Sequence, residues 1–237
     1  MFKGSMVAIV TPFTKKGDVD EATLRKLVEF HIKNGTDGIV PCGTTGESAT
    51  LNYEEHERAI DICVKASGNR VPIIAGTGSN STQEAIEMSL YAKKAGVDGL
   101  LLVSPYYNRP TQKGLYLHFK AIADKVDLPI ILYNIASRTG VNIEPETIAR
   151  LALDCKNIVA VKEASGSLDQ MSRIIALCGK KITMLSGDDS LTLPLMAIGG
   201  EGIISVVANI IPKDVKAMVT AFNEGDIRQA QRLHFKM

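Results

Sequence analysis

Short runs rich in Val, Ile and Leu recur along the chain, each followed by a polar or glycine-rich stretch and then by apolar positions at helical spacing. Eight such runs stand out, at 5–10, 37–40, 71–75, 99–103, 129–133, 158–162, 182–185 and 202–206. They are nearly continuous in apolar character, which predicts parallel strands covered on both faces. Helix starts follow the runs. Asp20 precedes 21–33, Asn52 with Glu55 and Ser81 with Glu84 have capping-box spacing, and Pro145 and Pro212 suit first helical positions. Asn34–Gly35, Gly68–Asn69 and Gly96 close helices before the next strand. Eight βα units in about 220 residues predict an α/β fold of the closed (β/α)8 TIM-barrel type. The rival, a doubly wound open sheet, lacks its GxGxxG turn after the first strand. One further helix is expected at 227–235.

Composition narrows the classes. At 237 residues the chain makes one large domain or two small ones, and neither linker nor charge block divides it. Lys plus Arg less Asp plus Glu is 27 − 26 = +1, so no field draws in nucleic acid or anionic membrane. The longest apolar stretches, such as 99–103 and 191–198, fall short of the roughly 18–20 residues a bilayer span needs. The run 6–10 after Lys3 is short and ends without a cleavage site, so a cytoplasmic location is expected. Cys42, Cys63, Cys155 and Cys178 show no CxxC spacing and the histidines do not join them, so neither a disulfide framework nor a metal site is expected.

In such a barrel the working residues sit where strands end. Here those positions hold Thr11, the stretch 42–47 (CGTTGE), Gly76-Thr77-Gly78, Ser104-Pro105-Tyr106-Tyr107, Tyr133-Asn134 with Arg138, Lys162-Glu163, Gly187-Asp188-Asp189 and Ser205. Lys162 closes an otherwise apolar strand. An ammonium withdrawn from water there loses its proton more readily, and the neutral amine can form a Schiff base with a carbonyl substrate. Pairing with a rim acid is the structural alternative. Thr44 and Thr45, between glycines, offer hydroxyls and backbone N–H groups to a small carboxylate, or else simply cap a turn. Tyr133, Tyr106 and Tyr107 can relay protons or merely pack. Arg138 can grip a carboxylate in a bidentate fork or sit in a surface ion pair. Asp188 and Asp189 would repel phosphate where barrels commonly bind it, which argues against a sugar-phosphate isomerase.

Together these residues resemble the pyruvate-dependent class I aldolase family typified by dihydrodipicolinate (4-hydroxy-tetrahydrodipicolinate) synthase. The resemblance runs over the whole chain and rests on 4–13 (GSMVAIVTPF), 43–47 (GTTGE), 104–108 (SPYYN), Tyr133-Asn134 with 137–140 (SRTG), and 161–164 (VKEA). It implies condensation of pyruvate with L-aspartate-4-semialdehyde in the diaminopimelate branch of lysine synthesis, without cofactor or metal. By the same resemblance, Lys162 forms the pyruvate imine, Thr45 binds the pyruvate carboxylate and Tyr133 is the acid–base group. Thr44 would link Tyr133 to Tyr107 from a neighbouring subunit, Arg138 would hold the semialdehyde, and the backbone around Gly187 and Ile204 would complete the pocket. The implied assembly is a homo-oligomer, dimer or tetramer. Ser48, Ala49, His56, Asn80, Glu84 and Tyr106 match the residue types of a lysine feedback site. Against that, Glu84 already has a capping-box role and His56 reads as an exposed helix residue.

The chain departs from the family pattern twice. Ala136 stands where a proline is common, and the family continues past the barrel into a C-terminal helical domain of which this chain holds only the start. The implied division is 1–224 for the catalytic barrel and 225–237 for the beginning of the helical region, with apolar surface expected on the last barrel helices. Two other readings stand beside the synthase: an N-acetylneuraminate lyase or keto-sugar-acid aldolase sharing the imine step, and a catalytically silent ligand-binding protein. The Thr44-Thr45 pair and Arg138 favour the synthase.

Overall fold

The structure, a computed structural model, describes residues 2–237. Strands and helices alternate as β1 (Gly4–Ala8), α1 (Glu21–Lys33), β2 (Gly38–Val40), α2 (Tyr53–Ser67), β3 (Ile74–Gly76), α3 (Thr82–Ala95), β4 (Gly99–Val103), α4 (Gln112–Ala123) and β5 (Ile130–Asn134). The series continues with α5 (Ala136–Thr139), α6 (Pro145–Asp154), β6 (Ile158–Glu163), α7 (Leu168–Cys178), β7 (Thr183–Ser186), α8 (Thr192–Ala197), β8 (Gly202–Ser205), α9 (Pro212–Asn223) and α10 (Ile227–His234). All pairings are parallel, in the order β2-β1-β8-β7-β6-β5-β4-β3, and a bridge from Ile39 to Ile73 closes the sheet into the expected (β/α)8 barrel.

The closing seam explains why β3 starts later than its apolar run. Pro72 has no N–H to give a ladder, and its carbonyl instead accepts from Ile39 N at 3.0 Å. Gly76 N then donates to Pro41 O at 3.0 Å, and any Cβ on Gly76 would overlap the Cys42 carbonyl. β1 likewise ends at Ala8, two residues before its run does. There the Asn209 side chain replaces a strand: Nδ2 donates to Ala8 O at 2.8 Å and Oδ1 accepts from Val10 N at 3.2 Å.

Helix caps follow the sequence with one exception. Asp20 accepts from Thr23 N at 3.0 Å, and Asn52 with Glu55 forms a reciprocal capping box, both bonds 2.9 Å. Ser81 caps Glu84 N at 3.3 Å, but the Glu84 carboxylate accepts the Ser79 hydroxyl at 2.8 Å instead of completing the box. The segment 136–139, read as loop, is the single turn α5, ended by Gly140 in a left-handed conformation (φ 74°). The last helix, α10, stops at His234, with Phe235 as its cap.

Strand alternation divides the interior into two layers. Val7, Ile39, Leu100, Leu102, Leu132 and Val161 pack outward against Leu24, Ile60, Phe119, Leu151 and Ile174 of the helices. Met6, Ala8, Val40, Ile74, Leu101, Ile131, Ala160, Leu185 and Ile204 point inward and fill the lumen. Fixing this parity fixes the site, because Lys162 follows Ala160 on the inward register of β6. Ile198, Val206, Ile210 and Phe235, all in the last part of the chain, stay exposed. The four cysteines are buried and unpaired. Among the described residues no helix is long and apolar enough to cross a membrane.

Three helix histidines are buried, and in two of them, His31 beside Thr36 and His118 beside Thr82, Nε2 lacks a partner. Burial pushes both down to about 4, against 6.5 in the open chain. Between pH 6.5 and 4 the unfolded chain therefore binds more protons, so the stability from these neutral rings is full above 6.5 and is lost as pH falls through that window. We expect the urea midpoint to drop steeply from pH 6.5 to 4, and H118L to flatten that slope. An unchanged slope in the variant would count against this account.

Candidate active site

Lys162 lies in the lumen near the C-terminal end of β6 and is only 4% exposed. Its Cα partner across the ladder is Tyr133 of β5, and the Lys162 Nζ sits over the Tyr133 ring, 4.2 Å from the centroid. No carboxylate lies within salt-bridge distance of this ammonium among the described residues. Burial is the largest influence and draws its pKa from 10.5 down to about 8, while Asp189 and Asp188 pull the other way and Arg138 adds to the lowering. The amine is thus partly unprotonated near neutral pH, which a water-exposed lysine is not.

Gly187 makes room for this side chain. A Cβ there would lie 2.7 Å from the Ala164 Cβ and 3.2 Å from the Lys162 Cε. Ile204, fully buried, belongs to the apolar layer that fills the lumen. Burial raises the Tyr133 hydroxyl, with the Thr44 hydroxyl and then the Arg138 charge acting against the rise. Tyr133, Thr44 and Ser48 share one narrow cleft with Gly43 and Gly78. Above it, an open cavity of about 420 Å³ is bounded by Thr44, Glu47, Ser48, Tyr106, Ile135 and Arg138. Arg138 is carried on α5, which the Thr139 hydroxyl pins by donating to Ile135 O at 3.0 Å. Thr45 is half-buried beside Thr44. Thr11 Oγ1 donates to Gly46 O at 2.6 Å and so fastens the loop that carries both threonines.

Tyr107 stands apart. It is 90% exposed, has φ 72°, and makes no hydrogen bond to Thr44 or Tyr133 within the chain. Asp188 and Asp189, read from sequence as phosphate-repelling, have distinct settings. Asp189 accepts from Ser205 Oγ at 2.5 Å and from Val206 N and Val207 N at 3.2 Å. Asp188 is half-buried; burial raises its pKa and the Lys162 charge lowers it.

A second cavity of about 430 Å³ lies on the far side of Ser48 and Ala49 and is lined by His56, Glu84 and Tyr106 among others. Asn80 borders it through a hydrogen bond from Nδ2 to Tyr106 O at 3.1 Å. Five of the six residues singled out at 48–106 line one hollow and the sixth braces its wall. Two expectations are corrected. His56 is buried, 5% exposed, with Cys42 Sγ donating to its backbone O at 3.5 Å and its ring against the Gly76 backbone, and Glu84 is not the closing member of a capping box. Leu51, Tyr53 and Met88 also line the hollow and carried no signal in the sequence, being apolar positions indistinguishable from ordinary helix packing.

The Dihydrodipicolinate synthetase family profile matches residues 1–237. The chain belongs to that family. It is 65% identical over 237 residues to the 4-hydroxy-tetrahydrodipicolinate synthase of Geotalea uraniireducens, covering 100% of this chain and 81% of that protein. Among solved structures, dihydrodipicolinate synthase from Acinetobacter baumannii, complexed with pyruvate, superposes with a TM-score of 0.96 at 49% identity, covering 100% of this chain and 81% of that one. The enzyme from Cyanidioschyzon merolae with lysine bound gives 0.95 at 45% identity, covering 98% and 80%. For a member of the Dihydrodipicolinate synthetase family, the buried lysine and its tyrosine are the residues to test first.

Burying the Lys162 ammonium costs folding free energy. The folded amine releases its proton near 8 and the unfolded one near 10.5, so the wild type gains stability as pH rises between those values. K162M should melt higher than wild type at pH 7, by about 1–3 kcal/mol of stability, and should lose that pH-dependent gain. Calorimetry at pH 7 and pH 10 checks both; a variant less stable at pH 7 would contradict the burial cost.

Proposed function

We propose that the chain joins pyruvate to L-aspartate-4-semialdehyde, forming 4-hydroxy-tetrahydrodipicolinate for lysine and diaminopimelate synthesis, through a covalent imine on Lys162. The observation that carries this is an amine held in the lumen, without a carboxylate partner, against the face of Tyr133. The neutral amine adds to the pyruvate ketone, and loss of water leaves the imine. The imine acidifies the adjacent methyl group, which gives up a proton to form an enamine. The enamine carbon attacks the semialdehyde carbonyl, making the new C–C bond and an alkoxide that takes up a proton. The amino group of the second substrate then displaces the Lys162 nitrogen from the imine carbon, which closes the ring and frees the enzyme. No external redox or metal cofactor enters this balance.

Each step moves a proton, and a hydroxyl chain supplies it without bulk water. Tyr133 is the acid–base group in this reading, with Thr44 beside it. Thr45 holds the pyruvate carboxylate. Arg138 at the rim of the outer cavity meets the carboxylate of the semialdehyde in a bidentate grip. Tyr107, projecting from its own subunit, completes the relay of a second copy, which makes the working unit a dimer or tetramer. A cytoplasmic location and the division into a barrel over 1–224 and the beginning of a helical region over 225–237 belong to the same reading. Names of relatives at 65% identity favour the synthase over a sialic-acid or keto-sugar-acid aldolase.

Borohydride added with pyruvate should leave a reduced pyruvyl mass on Lys162. Below pH 8 the capture rate should fall about tenfold per pH unit, since only the neutral amine attacks, and above 8 it should level off. No added mass would overturn the imine, and a rise that continues to pH 10.5 would overturn the lowering of the Lys162 pKa. Condensation activity with the semialdehyde, absent with a sialic acid, separates the synthase from its relatives.

The second cavity is read as a lysine feedback site. Glu84 offers a carboxylate to an ammonium, and Ser48 and Ala49 form the thin wall shared with the outer cavity above Thr44. Lysine should inhibit, and E84A should weaken that inhibition at least tenfold while leaving uninhibited activity within about twofold. Activity that does not respond to lysine would remove this site.

A further inference from the structure

We propose that Asn134 and Glu163 are positioning residues, whose side chains on the outer face of β5 and β6 lock the register that sets Tyr133 opposite Lys162. The proposal rests on the imine reading of Lys162 and extends it to groups that touch no substrate. The β5–β6 ladder is irregular: Ile130 pairs with Ile158 but Ile131 pairs with Ala160, so Val159 has no partner. A ladder that has already slipped by one residue needs a pin beyond the slip. One further residue of slippage would turn every side chain over and point Lys162 out of the lumen.

The pin lies one residue past the reacting pair. Asn134 and Glu163 are Cα partners, both fully buried, and Asn134 Nδ2 donates to the two Glu163 oxygens at 3.2 and 3.1 Å. Gln170 Nε2, from α7, donates to Glu163 at 3.1 Å, and Ser165 N donates at 2.7 Å. Every partner of this carboxylate is an N–H donor, and no cation pairs with it among the described residues. A buried acidic group held this way is costly, and Val161 on the same face shows that an apolar side chain suits the layer. What the acid provides that an apolar side chain cannot is directional bonding across the two strands.

Asn134 also reaches the loop that bears Arg138. Its Oδ1 accepts from Ile143 N at 3.0 Å and its Nδ2 donates to Asn142 Oδ1 at 2.8 Å, closing the far end of 135–143. The network therefore adjoins Tyr133 on one strand and Lys162 on the next, and anchors the return of the Arg138 loop. A displacement of about 1 Å at a reacting group can cost up to 100-fold in rate, which is the scale such a pin controls.

The test measures pyruvate capture by borohydride, kcat and KM for both substrates, and melting, in E163Q, N142A and wild type. E163Q presents an amide to neighbours that are all donors. Capture should slow about tenfold or more at saturating pyruvate, with its pH midpoint still near 8 because Lys162 stays buried. N142A removes the bonds Asn142 makes to Asn134 and Gln170 but leaves the Asn134–Glu163 bonds in place, so KM for the semialdehyde should rise at least threefold while capture slows less than in E163Q. If E163Q fails to fold, Q170L replaces it, with at least threefold slower capture expected. Folded E163Q (or Q170L in its place) capturing pyruvate at the wild-type rate, or N142A leaving KM unchanged, would overturn the positioning role. Wild type capturing no pyruvate would instead sink the imine reading itself.

Discussion

An amine that must stay in the lumen and yet shed its proton is the constraint on which the rest of this structure depends. In water Lys162 would hold its proton to 10.5; buried in the lumen it holds it only to about 8. The surroundings could have cancelled that effect with a single contacting carboxylate. Instead Asp189 spends its oxygens on Ser205 and two backbone N–H groups, and the ammonium meets the ring face of Tyr133. A ring face stabilises a cation far less than a carboxylate does, so the depression survives. The same ring brings its hydroxyl to the edge of the Thr44 cleft.

Room is the second requirement. Strand ends in a barrel of this size converge with little space between layers, and the lysine stem needs the volume that a side chain at 187 would take. Glycine at that position acts through what it leaves empty. Opposite, the wall shared by the outer cavity and the hollow around Glu84 is one loop thick. Its residues Ser48 and Ala49 face both spaces, so the proposed feedback site and the proposed substrate cavity share one wall.

Much of this was legible in the residue pattern. Eight apolar runs with helical segments between them identified a barrel, and a lysine at the end of one run marked a candidate nucleophile, whose proposed role came from the resemblance and not from the spacing. Boundaries erred where a backbone group finds an unusual partner: Pro72 delays β3, and the Asn209 side chain stands in for a strand after Ala8. The exposure of His56 was misjudged because its neighbours Cys42 and Gly76 come from the ends of other strands, which helical spacing within α2 does not reveal. The relay role proposed for Tyr107 rests on the resemblance, since within one chain its hydroxyl meets neither Thr44 nor Tyr133. Asn134 and Glu163 were visible as polar strand-end residues, but their shared network needs the β5–β6 register, and the irregularity near Ile130 is hidden from any pattern of apolar positions.

Polar residues crowd the mouth of this barrel, and their hydrogen bonds separate them into two kinds. Strands stop pairing there, so backbone groups that the ladder no longer serves must find partners. Thr11 satisfies Gly46 O, Asn209 satisfies Ala8 O and Val10 N, and Asp189 satisfies Val206 N and Val207 N. These side chains have used their capacity on the scaffold and have little left to offer a ligand. Lys162, Thr44 and Arg138 have no such engagement in the chain: a hydroxyl and a guanidinium that line the outer cavity, and an ammonium buried against Tyr133. A strand-end polar residue therefore signals chemistry only when the backbone around it is already satisfied. In the proposed reaction Lys162 is the nucleophile, Tyr133 the neighbouring phenol, and Thr45 and Arg138 the groups that meet the two carboxylates, a set suited to joining a keto acid to an aldehyde-bearing acid.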